Sequence, residues 1–265
     1  MNKSPLRYPG GKTRACKQLD AIINENFEIK NFKAILSPFF GGGSFEFYLQ
    51  HSYNLPIIAN DKFTPLYNFW STCKNSNGDL CKVLYAKIGK VDKATFNNIK
   101  NKIMSEVDAF QQSIMYFIIN RCSFSGATLS GGFSKGAAEG RFTNSSIDRI
   151  KELNLANFEI HNLDFVEFLN ERTSQDNLLF LDPPYYLEQS KLYGKNGDMH
   201  ENFDHVGLYN ILRTRKNWIM TYNNCDYIKT MYKDYKIIET SWSYGMNKSK
   251  ESSEIVILNQ DFIQN

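Results

Sequence analysis

The sequence predicts an α/β protein with an open, mostly parallel sheet and a mainly helical segment inserted in its middle. Short apolar runs alternate with helix-like segments across residues 32–61, and the alternation resumes at residue 158. Several of these runs end in acidic or glycine-rich turns, as expected where an open sheet carries a site along its carboxyl edge. Across residues 62–157 the alternation stops. We therefore predict a core of residues 1–61 and 158–265, and an inserted domain of residues 62–157.

The composition is that of a globular chain. It has 265 residues, of which 42% are hydrophobic, and a net charge of +3, which permits nucleic acid as a partner without requiring it. The amino terminus is polar and basic, and no apolar stretch approaches the roughly 20 residues of a membrane span. The five cysteines form no CxxC pair, and the four histidines lack metal-ligand spacing. We predict a cytoplasmic protein with reduced thiols and no metal.

The first part of the core has the order of a nucleotide-binding βαβ unit. An apolar run at residues 32–36 leads into the glycine turn PFFGGGSFE, and a second run at residues 56–59 ends at Asp61. No lysine follows the glycines, which argues against a triphosphate site. Asp61 lies about 20 residues after the turn, where a carboxylate accepts ribose hydroxyls. Alone, either feature is weak, and Asp61 also fits a solvated acid at a strand end.

Later strands are predicted at residues 158–163, 178–181, 218–222, 235–240 and 254–258. The run LLFL at residues 178–181 is followed directly by DPPYY. Its two prolines remove amide donors and stiffen the turn, which leaves carbonyls free to accept hydrogen bonds. An exocyclic amine placed there donates to the Asp182 carboxylate and the Pro183 carbonyl, and Tyr185 offers a flat face for a planar base. The alternative is a proline-rich turn that merely follows a strand.

These motifs occur in the order LRYPGGK, PFFGGGSFE, Asn60-Asp61, Asp164-Phe165, DPPYY. In this order the chain resembles the Dam-type, alpha-group site-specific DNA adenine-N6 methyltransferases, from residue 5 to about residue 259. The resemblance implies a Rossmann-like core that uses S-adenosylmethionine, with a target-recognition domain between its cofactor and catalytic halves. The predicted insert falls at that place.

Carried over by position, the resemblance implies roles for individual residues. The catalytic set that holds a flipped-out adenine is Asp182, Pro183, Pro184 and Tyr185. The cofactor-binding set is Tyr8, Lys12, Phe39, Gly41, Gly43, Asp61, Asp164, Phe165 and Asp182. The implied reaction needs no metal and forms no covalent intermediate with the enzyme.

The segment INRCSFSGATL, residues 119–129, resembles the recognition hairpin of this family. The DNA-binding set that follows is Asn120, Arg121, Phe124, Ser125, Lys135 and Arg141. Phe124 stands where family members carry a tyrosine wedge, and Leu129 where GATC-specific members carry an arginine. Leucine cannot make the bidentate contact that reads guanine. Our hypothesis is a short site other than GATC, read partly by Phe124, Ser125 and either Lys135 or Arg141.

A lysine-rich stretch in the insert has two interpretations. Between residues 81 and 103 the sequence has one acidic residue, Asp92, and six lysines: Lys82, Lys87, Lys90, Lys93, Lys100 and Lys102. The lysines either contact DNA phosphates or form an ordinary solvated surface.

Rival functions are methylation of another amine (cytosine N4, an RNA base or a protein glutamine), a catalytically silent DNA-binding relative, and a nicotinamide-dependent oxidoreductase. Asp182 favours adenine by resemblance, since cytosine N4 enzymes more often carry serine and glutamine enzymes asparagine at this position. The intact motifs argue against a catalytically silent relative. A nicotinamide-dependent oxidoreductase would have no use for the DPPYY motif. The expected partners are double-stranded DNA and a cognate restriction endonuclease, and the expected state is a monomer or weak dimer.

Overall fold

The computed structural model describes residues 3–186, 203–242 and 252–259. These residues form one seven-stranded sheet in the order β3-β2-β1-β4-β5-β7-β6. The strands are β1 Ile35–Ser37, β2 Ile57–Asn60, β3 Phe158–His161, β4 Leu178–Leu181, β5 Trp218–Asn223, β6 Lys236–Trp242 and β7 Ser252–Asn259. The first five strands are parallel, and β7 runs antiparallel between β5 and β6. The predicted α/β fold with a mostly parallel sheet is confirmed.

Helices cover both faces of this sheet. Within the described residues they are α1 Cys16–Asn26, α2 Ser44–Tyr53, α3 Thr64–Asn75, α4 Asn77–Tyr85, α5 Lys93–Lys102, α6 Ala109–Cys122, α7 Lys135–Arg141, α8 Asn144–Lys151, α9 Phe165–Glu171, α10 His205–Leu212 and α11 Asp226–Met231. Helices α1, α2 and α3 pack on one face, and α9, α10 and α11 on the other. Strand β4 is buried along its whole length because helices cover both faces of the sheet. Its four residues are accordingly all apolar.

The segment between β2 and β3 is helical, from α3 to α8, as predicted for the insert. It does not form a separate apolar core. The cluster that begins on the sheet continues into these helices, and Trp70 of α3 packs edge-on against Phe40 and Phe158. Helix α3 therefore joins the core and the insert, and the domain boundary at residue 62 stays a prediction.

The carboxyl ends of the first three strands are held together by one buried amide. The Asn60 side chain donates to the carbonyls of Pro38 and Leu163, both at 3.1 Å, and accepts from the Leu163 amide at 2.9 Å. Buried amides of this kind are satisfied by fixed partners, so the three strand ends keep one relative position. This arrangement fixes the edge of the sheet on which the predicted site lies.

In the part of the chain described, no helix is long and apolar enough to cross a lipid bilayer. Across the same ranges, no group of three or more histidine, cysteine, aspartate or glutamate side chains is placed to hold a metal ion.

Candidate active site

The glycine turn after β1 is fixed by hydrogen bonds from two directions. Gly41 and Gly43 have φ angles of 51° and 64°, in the left-handed region that favours glycine. The Gly41 amide donates to the Asp61 carboxylate at 2.9 Å, and the Trp70 indole donates to the Gly41 carbonyl at 2.9 Å. The turn and the acid that follows β2 are therefore joined directly, a contact that the sequence analysis did not include.

Asp61 is buried, and its other carboxylate oxygen accepts from the Phe63 amide at 2.9 Å. Burial raises the pKa of Asp61 to about 6, although both amide hydrogen bonds oppose this shift. At neutral pH the side chain is thus mainly ionised. Each oxygen has one protein donor and keeps a lone pair for a further donor such as a hydroxyl.

The group that lies against the glycines is the ring of Tyr8. A Cβ atom on Gly41 would lie 2.8 Å from this ring, and one on Gly42 would lie 2.8 Å from the Tyr8 Cβ. A Cβ on Gly43 would overlap the Phe40 ring. The glycines therefore let the amino-terminal loop approach the turn, a use that the sequence prediction of close ligand approach did not include.

Lys12 and Asp182 form an ion pair in the interior of the site. The buried Lys12 Nζ lies 2.8 Å from each Asp182 oxygen and 2.9 Å from both the Tyr185 hydroxyl and the Gly10 carbonyl. Glu254 on β7 contributes a second carboxylate, 3.9 Å from the same nitrogen. The sequence prediction placed Lys12 at the cofactor, and the structure brings it to Asp182, the carboxylate that the sequence predicts to be catalytic.

Two further groups next to this pair were not predicted from the sequence. Thr221 on β5 donates to Asp182 Oδ1 at 2.6 Å. Glu46 on α2 accepts from the Ser37 hydroxyl at 2.7 Å. Burial raises the pKa of Glu46 to about 7; the charge of Asp182 adds to this shift, and Ser37 and Lys12 oppose it. Thr221 lies in no motif, and Glu46 ends the glycine-turn motif without a role assigned to it, because the partners of both residues lie on other elements.

The predicted residues Phe39 and Phe165 meet above the strand ends, with ring centroids 5.6 Å apart. Phe203, which the sequence did not single out, completes a cluster of three rings at 5.4 and 5.2 Å. Asp164 caps α9 through the Val166 amide and forms a 2.7 Å ion pair with Lys62. Burial works against ionisation of Asp164, but the Lys62 and Val166 hydrogen bonds outweigh it and lower its pKa.

The proline turn after β4 leads into a second aromatic group. The Tyr185 ring stacks on Tyr222 of β5 with centroids 5.8 Å apart, and the Tyr222 hydroxyl bonds to the His205 ring. Tyr186 stacks on Tyr227 at 4.2 Å. Pro183 is buried and Pro184 half-buried between Asp182 and Tyr185. Tyr222 and His205 therefore support the turn, a role that the sequence did not indicate.

The predicted DNA-binding residues fall into two groups. Asn120 and Arg121 are only 0% and 6% exposed. Asn120 bonds both main-chain groups of Arg7, at 3.0 and 2.6 Å, and Arg121 donates to the carbonyls of Arg141 and Pro5. These two side chains therefore join helix α6 to the amino-terminal loop and to the end of α7.

The other group faces outward. Phe124 is 70% exposed, and Lys135 and Arg141 are exposed at the two ends of α7. Ser125 follows Phe124 with a left-handed φ of 56°, and Gly126 continues at 72°. Two consecutive left-handed residues form a sharp turn that projects Phe124 from the surface.

The lysine-rich stretch borders a groove of about 820 Å³ between α4, α5 and α6. Lys82, Lys87 and Lys90 line it together with apolar side chains such as Ile99 and Phe110. Lys100 points elsewhere and donates to the Gly131 carbonyl at 2.9 Å, which supports the loop after Phe124. Both interpretations of the remaining lysines stay open.

Comparison with known proteins identifies the family of this chain. Residues 8–246 match the family model described as D12 class N6 adenine-specific DNA methyltransferase. The chain belongs to this D12 family. It is also 24% identical, over 199 residues, to the "Type II methyltransferase M.MjaIII" of Methanocaldococcus jannaschii, which covers 68% of each chain. The predicted family and the predicted activity, methylation of adenine N6 in DNA, are confirmed. The D12 enzyme therefore carries its DPPY turn and glycine turn on one edge of the sheet.

Proposed function

We propose that this D12 enzyme moves the methyl group of S-adenosylmethionine to N6 of an adenine flipped out of duplex DNA. The observation that carries the proposal is the environment of Asp182. Its carboxylate already accepts hydrogen bonds from a nitrogen, Lys12 Nζ, at 2.8 Å, and the Tyr185 hydroxyl lies within hydrogen-bonding distance of that nitrogen. These contacts support the proposal because an exocyclic amine, like the Lys12 nitrogen, donates hydrogen bonds to a carboxylate.

The glycine turn and its neighbours fit the methyl donor. Asp61 is a buried, mainly ionised carboxylate with lone pairs left for two ribose hydroxyls. Phe39 and Phe165 supply flat faces for an adenine ring, and Asp164 supplies an acceptor for its amine. We propose the cofactor-binding set Tyr8, Lys12, Phe39, Gly41, Gly43, Asp61, Asp164, Phe165 and Asp182. When bound, S-adenosylmethionine supplies an electrophilic methyl group.

The chain's own contribution is to orient the target amine. We propose that Asp182 and the Pro183 carbonyl accept its two hydrogens, which directs the nitrogen lone pair away from them and toward the methyl donor. Pro184 keeps the turn rigid, and Tyr185, supported by Tyr222, stacks on the base. Thr221 fixes the carboxylate orientation through its 2.6 Å hydrogen bond. A base inside a duplex cannot reach this position, so flipping is required.

For the DNA surface we propose direct contacts by Phe124, Ser125, Lys135 and Arg141, and a supporting role for Asn120 and Arg121. Burial, together with the nearby positive charges of Arg7, Arg149 and Arg141, lowers the pKa of Arg121 to about 10. In the described ranges none of these arginines forms an ion pair with a carboxylate. A cluster of like charges without acids favours a phosphate group as its partner.

The test is expression in a host that lacks adenine methylation, followed by mapping of modified bases by single-molecule sequencing. A strain carrying Asp182→Ala is the control, with its folding checked by thermal denaturation. We expect N6-methyladenine in one short motif other than GATC, and none in the control. Unmodified DNA from folded wild-type protein would contradict the proposed function, and methylation of GATC alone would contradict the specificity hypothesis.

We further propose a restriction endonuclease with the same recognition site as a partner, a cytoplasmic location with the DNA, and a monomer or weak dimer in solution. The relative named above is a type II methyltransferase, which supports the first of these. Sedimentation over a range of protein concentrations tests the third: a stable dimer at nanomolar concentration would contradict it.

A further inference from the structure

The amino-terminal loop, residues 5–12, connects the recognition insert to the catalytic carboxylate; we name it the N-terminal strap. At its start it is held by α6. Asn120 accepts from the Arg7 amide at 3.0 Å and donates to the Arg7 carbonyl at 2.6 Å. The loop after α6 presses on the same point, because a Cβ on Gly126 would lie 2.7 Å from the Arg7 Cβ.

The middle of the strap lies on the glycine turn. The Tyr8 ring packs so closely on Gly41 and Gly42 that neither position admits a Cβ without overlap. The Gly11 amide donates to the Tyr8 carbonyl at 3.0 Å, which closes a tight turn directly after the contact. The strap therefore touches the segment proposed to hold the methyl donor, by way of a side chain next to Arg7.

The end of the strap is Lys12, whose ammonium group holds both oxygens of Asp182 at 2.8 Å. Lys12 also bonds to the Gly10 carbonyl within the strap, so its position depends on the conformation of that turn. Few residues separate the Arg7 clamp from Lys12. A shift of residues 119–129 at Asn120 and Gly126 would therefore pass through the strap to the glycine turn and to the Lys12–Asp182 ion pair together.

We propose that Asn120 is a positioning residue that couples DNA recognition, through the strap, to the cofactor turn and Asp182, so that DNA and methyl donor bind cooperatively. The proposal rests on the proposed function and departs from the expectation that Asn120 contacts DNA. Coupling between two sites is reciprocal, so the effect of DNA on cofactor affinity reports it without any turnover.

The experiment measures the dissociation constant of S-adenosylhomocysteine by calorimetry, with and without a short duplex that carries the mapped motif. In the wild type we expect the duplex to tighten binding by about 5-fold or more. In Asn120→Ala we expect this ratio to fall to about 1, and kcat to fall while the dissociation constant without DNA stays within about 2-fold. Gly126→Ala, which displaces Arg7 from the other side, is expected to lower the ratio in the same way.

The matched control is Gln112→Ala. Gln112 is also a buried amide on α6, but it bonds to the Ile103 carbonyl and to Asn68, far from the strap in sequence and contacts. It tests general loss of helix stability, and we expect it to keep the wild-type ratio. If Asn120→Ala does not fold, Asn120→Asp replaces it, since Asp keeps the acceptor for the Arg7 amide and loses the donor.

The proposal is overturned by a wild-type ratio near 1, or by Asn120 and Gly126 variants that retain the full wild-type ratio. A ratio that falls equally in Gln112→Ala also overturns it, because the effect is then one of stability. Failure of the proposed function is distinct, because the mapping then returns no methylated motif at all, whereas a ratio near 1 in an enzyme that methylates its mapped motif overturns the coupling alone.

Discussion

Asp182 is surrounded by a lysine, a threonine and two further buried acids, Glu46 and Glu254. In the proposed reaction, the Asp182 carboxylate acts through its charge and its fixed orientation. We expect Asp182→Asn to lower kcat by about 10²-fold or more, as loss of a preorganised electrostatic contact does. Thr221→Val keeps the charge and removes one 2.6 Å hydrogen bond, so we expect a loss of about 10-fold. Single-turnover methylation of the mapped duplex measures both; equal losses would contradict the ranking.

Glu46 gives the stability of the protein a pH dependence. Its pKa is raised from 4.5 to about 7 in the folded state, chiefly by burial, so the folded state keeps a proton that the unfolded state releases. This contribution is fully present below pH 4.5 and is lost as the pH rises through 7. Glu46→Gln keeps the Ser37 acceptor and does not titrate. We expect the wild type to lose about 3 kcal/mol relative to this variant across that range. Urea unfolding at pH 5, 6, 7 and 8 measures this, and a difference between the two proteins that is independent of pH would refute it.

Among the elements, the glycine turn has the strictest backbone requirement. At Gly43 a side chain meets both a φ of 64° and the Phe40 ring. We expect Gly43→Ala to lower the free energy of unfolding by about 2 kcal/mol or more and to weaken binding of S-adenosylhomocysteine. Gly140→Ala, in α7 with open space around it, is the control and is expected to be neutral or slightly stabilising. Urea denaturation compares them.

The loop around Phe124 has the opposite character, because the Phe124 side chain is 70% exposed. Phe124→Ala is expected to change the free energy of unfolding by less than about 0.5 kcal/mol. If Phe124 is the proposed apolar wedge in the base stack, the same variant weakens DNA binding by about 10-fold. Val107→Ala removes a side chain that is 96% exposed and serves as the control. Fluorescence anisotropy with a labelled duplex measures the affinities; equal effects of the two changes would remove Phe124 from the DNA surface.

The elements visible in the sequence are those with local signals. Strand β4 is covered on both faces, so its sequence LLFL is apolar at every position, and such a run predicts a buried strand. The motif DPPYY follows it directly. Asn120 and Lys12 gave no such signal. Polar side chains are ordinarily expected at the protein surface. Asn120 and Lys12 are buried because each has a partner far away in the sequence: Arg7 lies 113 residues from Asn120, and Asp182 lies 170 residues from Lys12. The family resemblance located Lys12 and Asn120 in functional segments, but not the contacts that they make.

For the molecule as a whole, DNA binding is expected to depend strongly on salt. If Lys135 and Arg141 each neutralise one phosphate, the double variant Lys135→Gln/Arg141→Gln reduces the slope of log affinity against log salt by about 2. Lys30 and Lys33 lie before the amino end of β1, at the opposite edge of the sheet, and Lys30→Gln/Lys33→Gln is expected to leave the slope unchanged. Titrations at several salt concentrations compare the two pairs. An identical slope in all three proteins would exclude Lys135 and Arg141 from phosphate contact.

The Lys12 ion pair also has a consequence for the order of synthesis. Lys12 leaves the ribosome first, Asp182 much later, and Glu254, 3.9 Å from Lys12 in the folded protein, later still. At about 5–20 residues per second, the lysine spends many seconds in the nascent chain before either carboxylate exists. Strand β7, which carries Glu254, must also insert between β5 and β6 to complete the sheet. Until translation has passed β7, the chain therefore lacks Glu254 beside Lys12 and its sheet is incomplete, and a premature stop between DPPYY and β7 gives a protein with the motifs but without this part of the site.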